Sequence, residues 1–409
     1  MTATIVFYSI IGILVLNFIF DKWLDYLNFQ HFTDEIPNEL KDVYDEEQYL
    51  KSQNYKKETY RFSLLISVVS FITILGFLFF DGFAFVDHLS RNITSNEIWV
   101  SLLFFGILSI GSTILTTPIS YYKTFVIEEK FGFNKTTKKL FFIDKIKGIL
   151  LSTLIGGLIL FIIILFYNYF GTHFWLYALA LITVFSVLMN MFYSTLIVPL
   201  FNKQTPLEEG KLKEALKEFV KKAGFKLDQL FVIDGSKRST RANAYFAGFG
   251  PKKRVVLFDT LINDLETEEI VAVLAHEVGH YKRKHIIYNF IIGTILTAIT
   301  LYLLSIFINS ELLAQALGVT IPNFHIGMVA FGLLYTPISE ITGLLNNIIS
   351  RKFEYQADNY ANNFGLGVAL INGLKKLSKN NLSNLTPHSW YVFYHYSHPT
   401  LLQRHKNLN

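Results

Sequence analysis

The 409-residue chain contains no cysteine. Disulfides, thiolate metal sites and iron–sulfur clusters are therefore excluded, and the redox compartment leaves no trace. Charge is also scarce. Asp, Glu, Lys and Arg make up 17% of the residues, where a soluble domain carries about a quarter. The net charge of +5 is small for this length and does not argue for a nucleic-acid partner. With 51% hydrophobic residues, the composition excludes a disordered chain, a collagen-like repeat and a coiled coil. No internal repeat and no low-complexity tract is visible.

The apolar residues lie in long runs. A bilayer core of about 30 Å is crossed by roughly 20 apolar residues of helix. Seven stretches meet this requirement, at about 2–20, 62–80, 98–119, 148–167, 173–198, 286–307 and 324–349. They predict a mainly α, polytopic membrane protein with seven transmembrane helices. The first run lacks the basic lead and small-residue cleavage site of a signal peptide, so it is expected to remain as an anchor.

Basic residues in the loops set the orientation. Lys and Arg number six in 21–61, one in 87–97, seven in 120–147, none in 168–172, thirteen in 199–270, none in 308–323 and seven in 350–409. This alternation places the N-terminus outside, and the C-terminus and both large polar segments in the cytoplasm. The chain thus divides into helices 1–5 over 1–198, a polar insert at 199–285, helices 6 and 7 over 286–349 and a cytoplasmic segment at 350–409.

Within the insert, Leu212, Leu216, Phe219, Val220 and Ala223 recur at helical spacing, with Gly224 placed to end the helix. Residues 230–233, 243–246 and 255–258 read as short strands, with a turn at 248–251. A helix is expected from Thr267, with that threonine as N-cap and Glu268 and Glu269 in its first turn. On it stands His276-Glu-Val-Gly-His280. Histidines at i and i+4 share one helical face, so both imidazoles reach one metal. Neutral imidazole suits zinc, a catalytic zinc keeps one position for water, and Glu277 is placed to take that water's proton.

The third ligand is open on spacing alone. His285, five residues past His280, is rotated by roughly 140° on a continuous helix and reads as a surface or supporting group. Position 286 is Ile, which excludes the extended metzincin pattern. Glu340 lies inside the last apolar run, where a carboxylate is costly and usually functional. Glu354 just beyond it is better placed, because Asp358 one turn on can accept a hydrogen bond from a ligating histidine. The alternative for Glu354 and Asp358 is a solvated face beside Arg351 and Lys352. The acids at 128 and 129 read as a solvated face rather than a second ion site.

These residues, taken with Ile127-Glu-Glu-Lys-Phe-Gly-Phe-Asn134, Pro199-Leu-Phe-Asn-Lys203, Ser239-Thr-Arg-Ala-Asn-Ala-Tyr-Phe246, Val256-Leu-Phe-Asp-Thr-Leu-Ile262, Phe353-Glu-Tyr-Gln-Ala-Asp358 and Tyr396-Ser-His-Pro399, form an ordered set. Over nearly its whole length the chain resembles the type I CAAX prenyl proteases, integral-membrane zinc metalloendopeptidases. The resemblance implies one Zn2+ per chain on His276, His280 and Glu354, with Glu277 as general base and Asp358 and Arg404 in support. It implies a strand at Asn243, Ala244 and Tyr245 that pairs with an extended substrate, a mode that reads backbone and tolerates varied side chains. It also gives His398 an oxyanion role, where bare chemistry reads a polar tail residue. Thr400 and Gln403 depart from the family pattern, which has Pro and an acid there.

The fold so implied is a barrel of seven helices around a water-filled chamber, closed by a cytoplasmic zincin-like α/β domain. Glu340, Asn190 and the Thr116-Thr-Pro118 step suit a chamber wall, and equally suit interhelical hydrogen bonds. The expected substrate is a peptide or lipidated protein reached from the bilayer, with an isoprenylated CAAX terminus. The membrane is the cell membrane in a bacterium and the endoplasmic reticulum in a eukaryote. The alternatives are a general quality-control peptidase for membrane proteins and a non-catalytic zinc-containing scaffold.

Overall fold

The computed structural model describes residues 2–33, 35, 36, 38, 41–225, 229–247 and 254–408. The membrane half opens with α1 (Ala3–Gln30), α2 (Glu46–Phe79), α3 (Gly82–Ile93) and α4 (Glu97–Tyr122). The long helices α5 (Lys138–Phe170) and α6 (Phe174–Phe192) follow. Side-chain oxygens of Thr2, Asp45, Asn96 and Thr137 accept backbone N–H groups at the starts of α1, α2, α4 and α5. Each supplies a partner to donors that a helix start leaves unpaired.

Five helical stretches are long and apolar enough to cross a membrane, and six if a bent pair counts as one. One of the five, Lys138–Leu200, is 63 residues long. At 1.5 Å per residue it would span about 95 Å as a single rod, some three bilayer cores. It instead turns back at Gly171, whose φ is +52°, so that α5 and α6 lie against each other. Phe170 stacks on Tyr177 across that hairpin at 3.9 Å. The first span was expected to end near residue 20. Helix α1 continues to Gln30 because Lys22, 2.5 Å from Asp25 and 3.5 Å from Asp21, neutralises its polar end. Pro118 is accommodated inside α4, and the helix widens into a π turn directly after it at Lys123–Glu128. A second π turn, Tyr193–Ile197, ends α6.

The insert contains β1 (Gln204–Pro206), α7 (Lys211–Lys222), β2 (Gln229–Ile233), β3 (Ala244–Ala247), β4 (Arg254–Phe258), α8 (Asp259–Asp264) and α9 (Thr267–Lys282). The sheet order is β1-β2-β4-β3, with β2 and β4 parallel and the outer pairs antiparallel. Strand β3 is therefore an edge. The three expected strands appear within a residue or so of their expected bounds; β1, three residues long, was not foreseen. Gly224 follows α7 with a φ of +56°, as a helix-ending glycine should. The turn expected at 248–251 lies outside the described residues.

The chain returns through α10 (His285–Phe307), α11 (Glu311–Ala316), α12 (Phe324–Leu334) and α13 (Thr336–Asn362), then α14 (Gly367–Asn380), α15 (Ser389–His395) and α16 (Leu401–Leu408). Helices α12 and α13 are the bent pair, meeting at 59°. Inside the membrane half, fully buried His325 on α12 contacts Asp87 of α3 at 2.7 Å and Ser101 of α4 at 2.9 Å. This link lets three helices meet without an unpaired polar group.

The core of the insert is built on α9. Ile270, Ala272, Leu274, Ala275 and Val278 are buried against Leu216, Val255, Leu257 and Leu370 from α7, β4 and α14. A second cluster holds Tyr49 and Tyr55 of α2, Ile127, Phe131, Phe133, Leu382 and Leu385, with Leu401 and Leu402 packed on it. It fastens the polar start of α2 to the C-terminal segment. Thr400 and Gln403, the two departures from the family pattern, act together here. The Thr400 N–H donates to Gln403 Oε1 at 2.9 Å and the Gln403 N–H donates to Thr400 Oγ1 at 3.3 Å, a reciprocal cap that starts α16.

Candidate metal centre

Helix α9 starts at Thr267 itself, so its cap lies one residue earlier than expected. Glu266, not Thr267, is the N-cap, in a capping box with Glu269, whose carboxylate accepts the Glu266 N–H at 2.8 Å. From this start, His276 and His280 fall one turn apart and bring their Nε2 atoms to 3.1 Å. Helix α13 crosses α9 at Gly279. A methyl group there would lie 3.0 Å from Tyr360 Cβ and 3.1 Å from Ala357 Cα. The missing side chain thus sets how closely the two helices approach. That approach carries Glu354 to the histidines: Oε1 is 3.3 Å from His280 Nε2 and Oε2 is 3.4 Å from His276 Nε2.

These three groups fit a metal. Tetrahedral ligation at about 2.0–2.1 Å places donor atoms roughly 3.3 Å apart, matching 3.1, 3.3 and 3.4 Å. Glu354 Oε2 is sealed from solvent and accepts no hydrogen bond, a cost of about 1–3 kcal/mol or more that a cation relieves. Among the described residues, His276, His280 and Glu354 form the metal-capable group of this kind.

The groups behind the donors fix their tautomers. Fully buried Asp358 lies 2.9 Å from His276 Nδ1 and is itself held by Arg404 through both carboxylate oxygens. With Asp358 accepting at Nδ1, the Nε2 lone pair of His276 faces the cluster. Burial works against a charge on His276, but the Asp358 and Glu354 carboxylates beside it outweigh this and hold its pKa up at about 9, so a metal at Nε2 takes the place of that proton. His280 Nδ1 meets His285 Nδ1 at 3.0 Å, and His285 Nε2 meets Gln356 Oε1 at 2.8 Å. Donation from His280 to His285 to Gln356 leaves His280 Nε2 free as a donor atom to a metal. The rotation that made His285 look remote assumed one continuous helix. The chain instead turns at Lys284, with a φ of +60°, and presents His285 back toward His280.

The remaining expected residues divide clearly. His398 Nε2 is 3.4 Å from Glu354 Oε1, and its side chain is 63% exposed. The segment before it is tied to α13: Asn347 donates to the Tyr394 carbonyl at 2.7 Å and Arg351 donates to the carbonyls of Val392 and Tyr396. Glu340 is not with the histidines; it accepts from the Tyr394 hydroxyl at 2.7 Å. Glu128 is not a solvated acid either, but accepts from Tyr55 at 2.8 Å and from Arg241 at 2.8 Å. Asn243 and Tyr245 on the free edge border a cavity of about 760 Å³, shared with Asn190, Tyr193, Phe246 and Ile286. The Tyr245 hydroxyl is anchored by Gln204 at 3.2 Å and Ser194 at 3.3 Å.

The fold and the three-donor cluster define a membrane-embedded metallopeptidase, and the comparisons with known proteins agree. Residues 25–203 match the profile of the CAAX prenyl protease N-terminal domain with five membrane helices, and residues 206–409 match peptidase family M48. The chain is 38% identical to CAAX prenyl protease 1 of Saccharomyces cerevisiae, over 96% of this chain and 93% of that one. It is 37% identical to the CAAX prenyl protease 1 homolog of Dictyostelium discoideum, over 94% and 93% respectively. The crystal structure of S. mikatae Ste24p superposes with a TM-score of 0.94 at 36% identity, covering 99% of both chains. The chain belongs to the CAAX prenyl protease 1 family within the M48 metallopeptidases.

Proposed function

We propose that this metallopeptidase uses zinc to cleave peptide bonds near the C-terminus of isoprenylated CAAX proteins, at the cytoplasmic face of a membrane. The observation that carries this is the buried three-donor cluster with Glu277 beside it. His276, His280 and Glu354 would hold the zinc, which when bound polarises the peptide carbonyl and acidifies water. Glu277 is partly buried, acts on the charge of His276, and has no bonded neighbour among the described residues. Its carboxylate takes a proton from the attacking water and delivers it to the amine as the C–N bond breaks. His398 donates to the oxygen that gains charge on the carbonyl, and Asp358 with Arg404 keeps His276 in its ligating tautomer. The substrate lies along Asn243, Ala244 and Tyr245 at the free edge of β3. The adjoining cavity of about 760 Å³ receives its apolar groups.

The membrane half fits seven crossings, α5 and α6 counting separately and α12 with α13 counting as one. Only 6–17% of the most apolar stretch of each span is buried, which suits a single-layer wall around a wet chamber better than a solid bundle. On this account the N-terminus is outside, and residues 199–285 and 350–409 close the chamber from the cytoplasm, between helices 1–5 (1–198) and helices 6 and 7 (286–349). Because an edge strand reads backbone, a general membrane-protein peptidase is the second reading. The test compares a farnesylated CAAX peptide with its unprenylated twin and with an unfolded membrane-protein fragment. A higher kcat/KM for the first supports the proposal, and equal values for all three support the second reading.

A further inference from the structure

Beside β3 stands a charge arrangement that the hydrolytic chemistry does not use. Arg241, three residues before Ala244, packs its guanidinium over Phe133 at 4.3 Å and over Tyr55 at 5.8 Å. It donates to the Tyr55 hydroxyl at 2.6 Å and to Glu128 at 2.8 Å. Lys56 lies on the same tyrosine, its ammonium 5.3 Å from the ring centroid. Among the described residues no carboxylate forms an ion pair with Lys56; burial, and after it Arg241, act against its charge, and Glu128 offsets them only partly. Two cations thus face one acid. Lys56 is partly buried and Arg241 is 42% exposed, so both keep surface for a ligand.

Their position relative to the metal centre follows from packing. Leu401 and Leu402 touch the apolar cluster that contains Tyr55, only three and four residues after His398. On the other side, Asn243 and Tyr245 share a cavity with Ile286, the neighbour of His285. Arg241 therefore lies beyond the N-terminal end of the edge strand with Lys56 beside it, over a cluster that adjoins the segment following His398. A peptide antiparallel to β3 runs its C-terminus toward Ala244 and onward to Arg241. Three extended residues span about 10 Å, the length from a scissile carbonyl to the terminal carboxylate of a three-residue leaving fragment.

We propose that Lys56 and Arg241 bind the free α-carboxylate of the substrate, fixing its direction on β3 and the distance from chain end to scissile bond. An isolated cation beside a paired one supplies the missing positive charge for a carboxylate, and a planar guanidinium adds directional donors. The proposal rests on the endopeptidase reading above and adds a C-terminal ruler to it.

The test uses the purified full chain in non-ionic detergent, with one farnesylated CAAX peptide as free acid and as C-terminal amide. Wild type should cleave the acid with a kcat/KM about 10- to 100-fold higher than the amide, the span of one or two charge-assisted hydrogen bonds. Lys56→Met and Arg241→Gln should each bring the acid down toward the amide while leaving the amide rate within about twofold. Arg241→Lys should restore much of the difference, and Lys130→Gln, on the neighbouring surface pair with Glu58, should leave it intact. Equal rates for acid and amide in wild type would overturn the ruler, as would variants that slow both peptides alike. Added anionic lipid that depresses acid and amide equally would assign the cations to a headgroup and likewise overturn it. Failure of the underlying reading looks different: neither peptide is cleaved although metal is bound.

Discussion

Gly279→Ala isolates the packing that brings the metal ligands together. The added methyl would meet Tyr360 Cβ at 3.0 Å, Ala357 Cα at 3.1 Å and Ala357 O at 3.2 Å, where ordinary contact begins at 3.4 Å. Two of these atoms are backbone, so α13 must move away from α9 by roughly 0.3 Å, and metal sites tolerate about ±0.2 Å. Overpacking costs about 1–3 kcal/mol, of which the better helix propensity of alanine returns up to about 1 kcal/mol. Global stability should therefore change little, by at most a few degrees in Tm. Metal affinity should fall by about 10- to 100-fold, as when supporting contacts of a ligand are disturbed. Chelator competition reads the affinity and differential scanning fluorimetry reads the Tm. Gly373→Ala, whose methyl meets Glu269 Cβ at 3.4 Å in the first turn of α9, is the matched control and should bind metal normally. Unchanged metal affinity in Gly279→Ala would refute the idea that helix approach sets the site.

Other expectations follow from the tail and the loops. His398→Ala should lower kcat by about 10²–10³-fold with metal content unchanged; an unaltered kcat would return His398 to a structural role. Because the chain has no native cysteine, Ser95→Cys and Glu208→Cys report topology without background. An impermeant thiol reagent on intact cells or sealed right-side-out vesicles should label position 95 and spare 208, and labelling of 208 would place the metal centre outside.

Local spacing carried much of this molecule. The apolar runs, the i and i+4 histidines, and Asp358 one turn beyond Glu354 are patterns within a single helix, so sequence displays them directly. What it hides are bonds between distant segments. The tie from Arg351 to the carbonyls of Val392 and Tyr396, and the Tyr55–Glu128–Arg241 cluster, join residues 41 to 186 positions apart and leave no periodic trace. His285 takes the supporting place rather than the surface one because one left-handed residue, Lys284, breaks the helix on which its angle is reckoned. Glu266 displaced Thr267 as the cap because Glu269 returns its hydrogen bond. Glu340 looked like a ligand on cost alone, yet a tyrosine hydroxyl satisfies it.

The account turns on Glu277 as the proton-transferring base beside a metal held by three other groups. Purified Glu277→Gln should contain as much zinc as the wild-type protein and cleave a farnesylated CAAX peptide at least about 10³-fold more slowly. Glu354→Ala, run alongside, should lose the metal itself. Zinc retained with cleavage abolished in Glu277→Gln is the predicted result. Cleavage that persists in that variant at a rate near wild type would contradict the account.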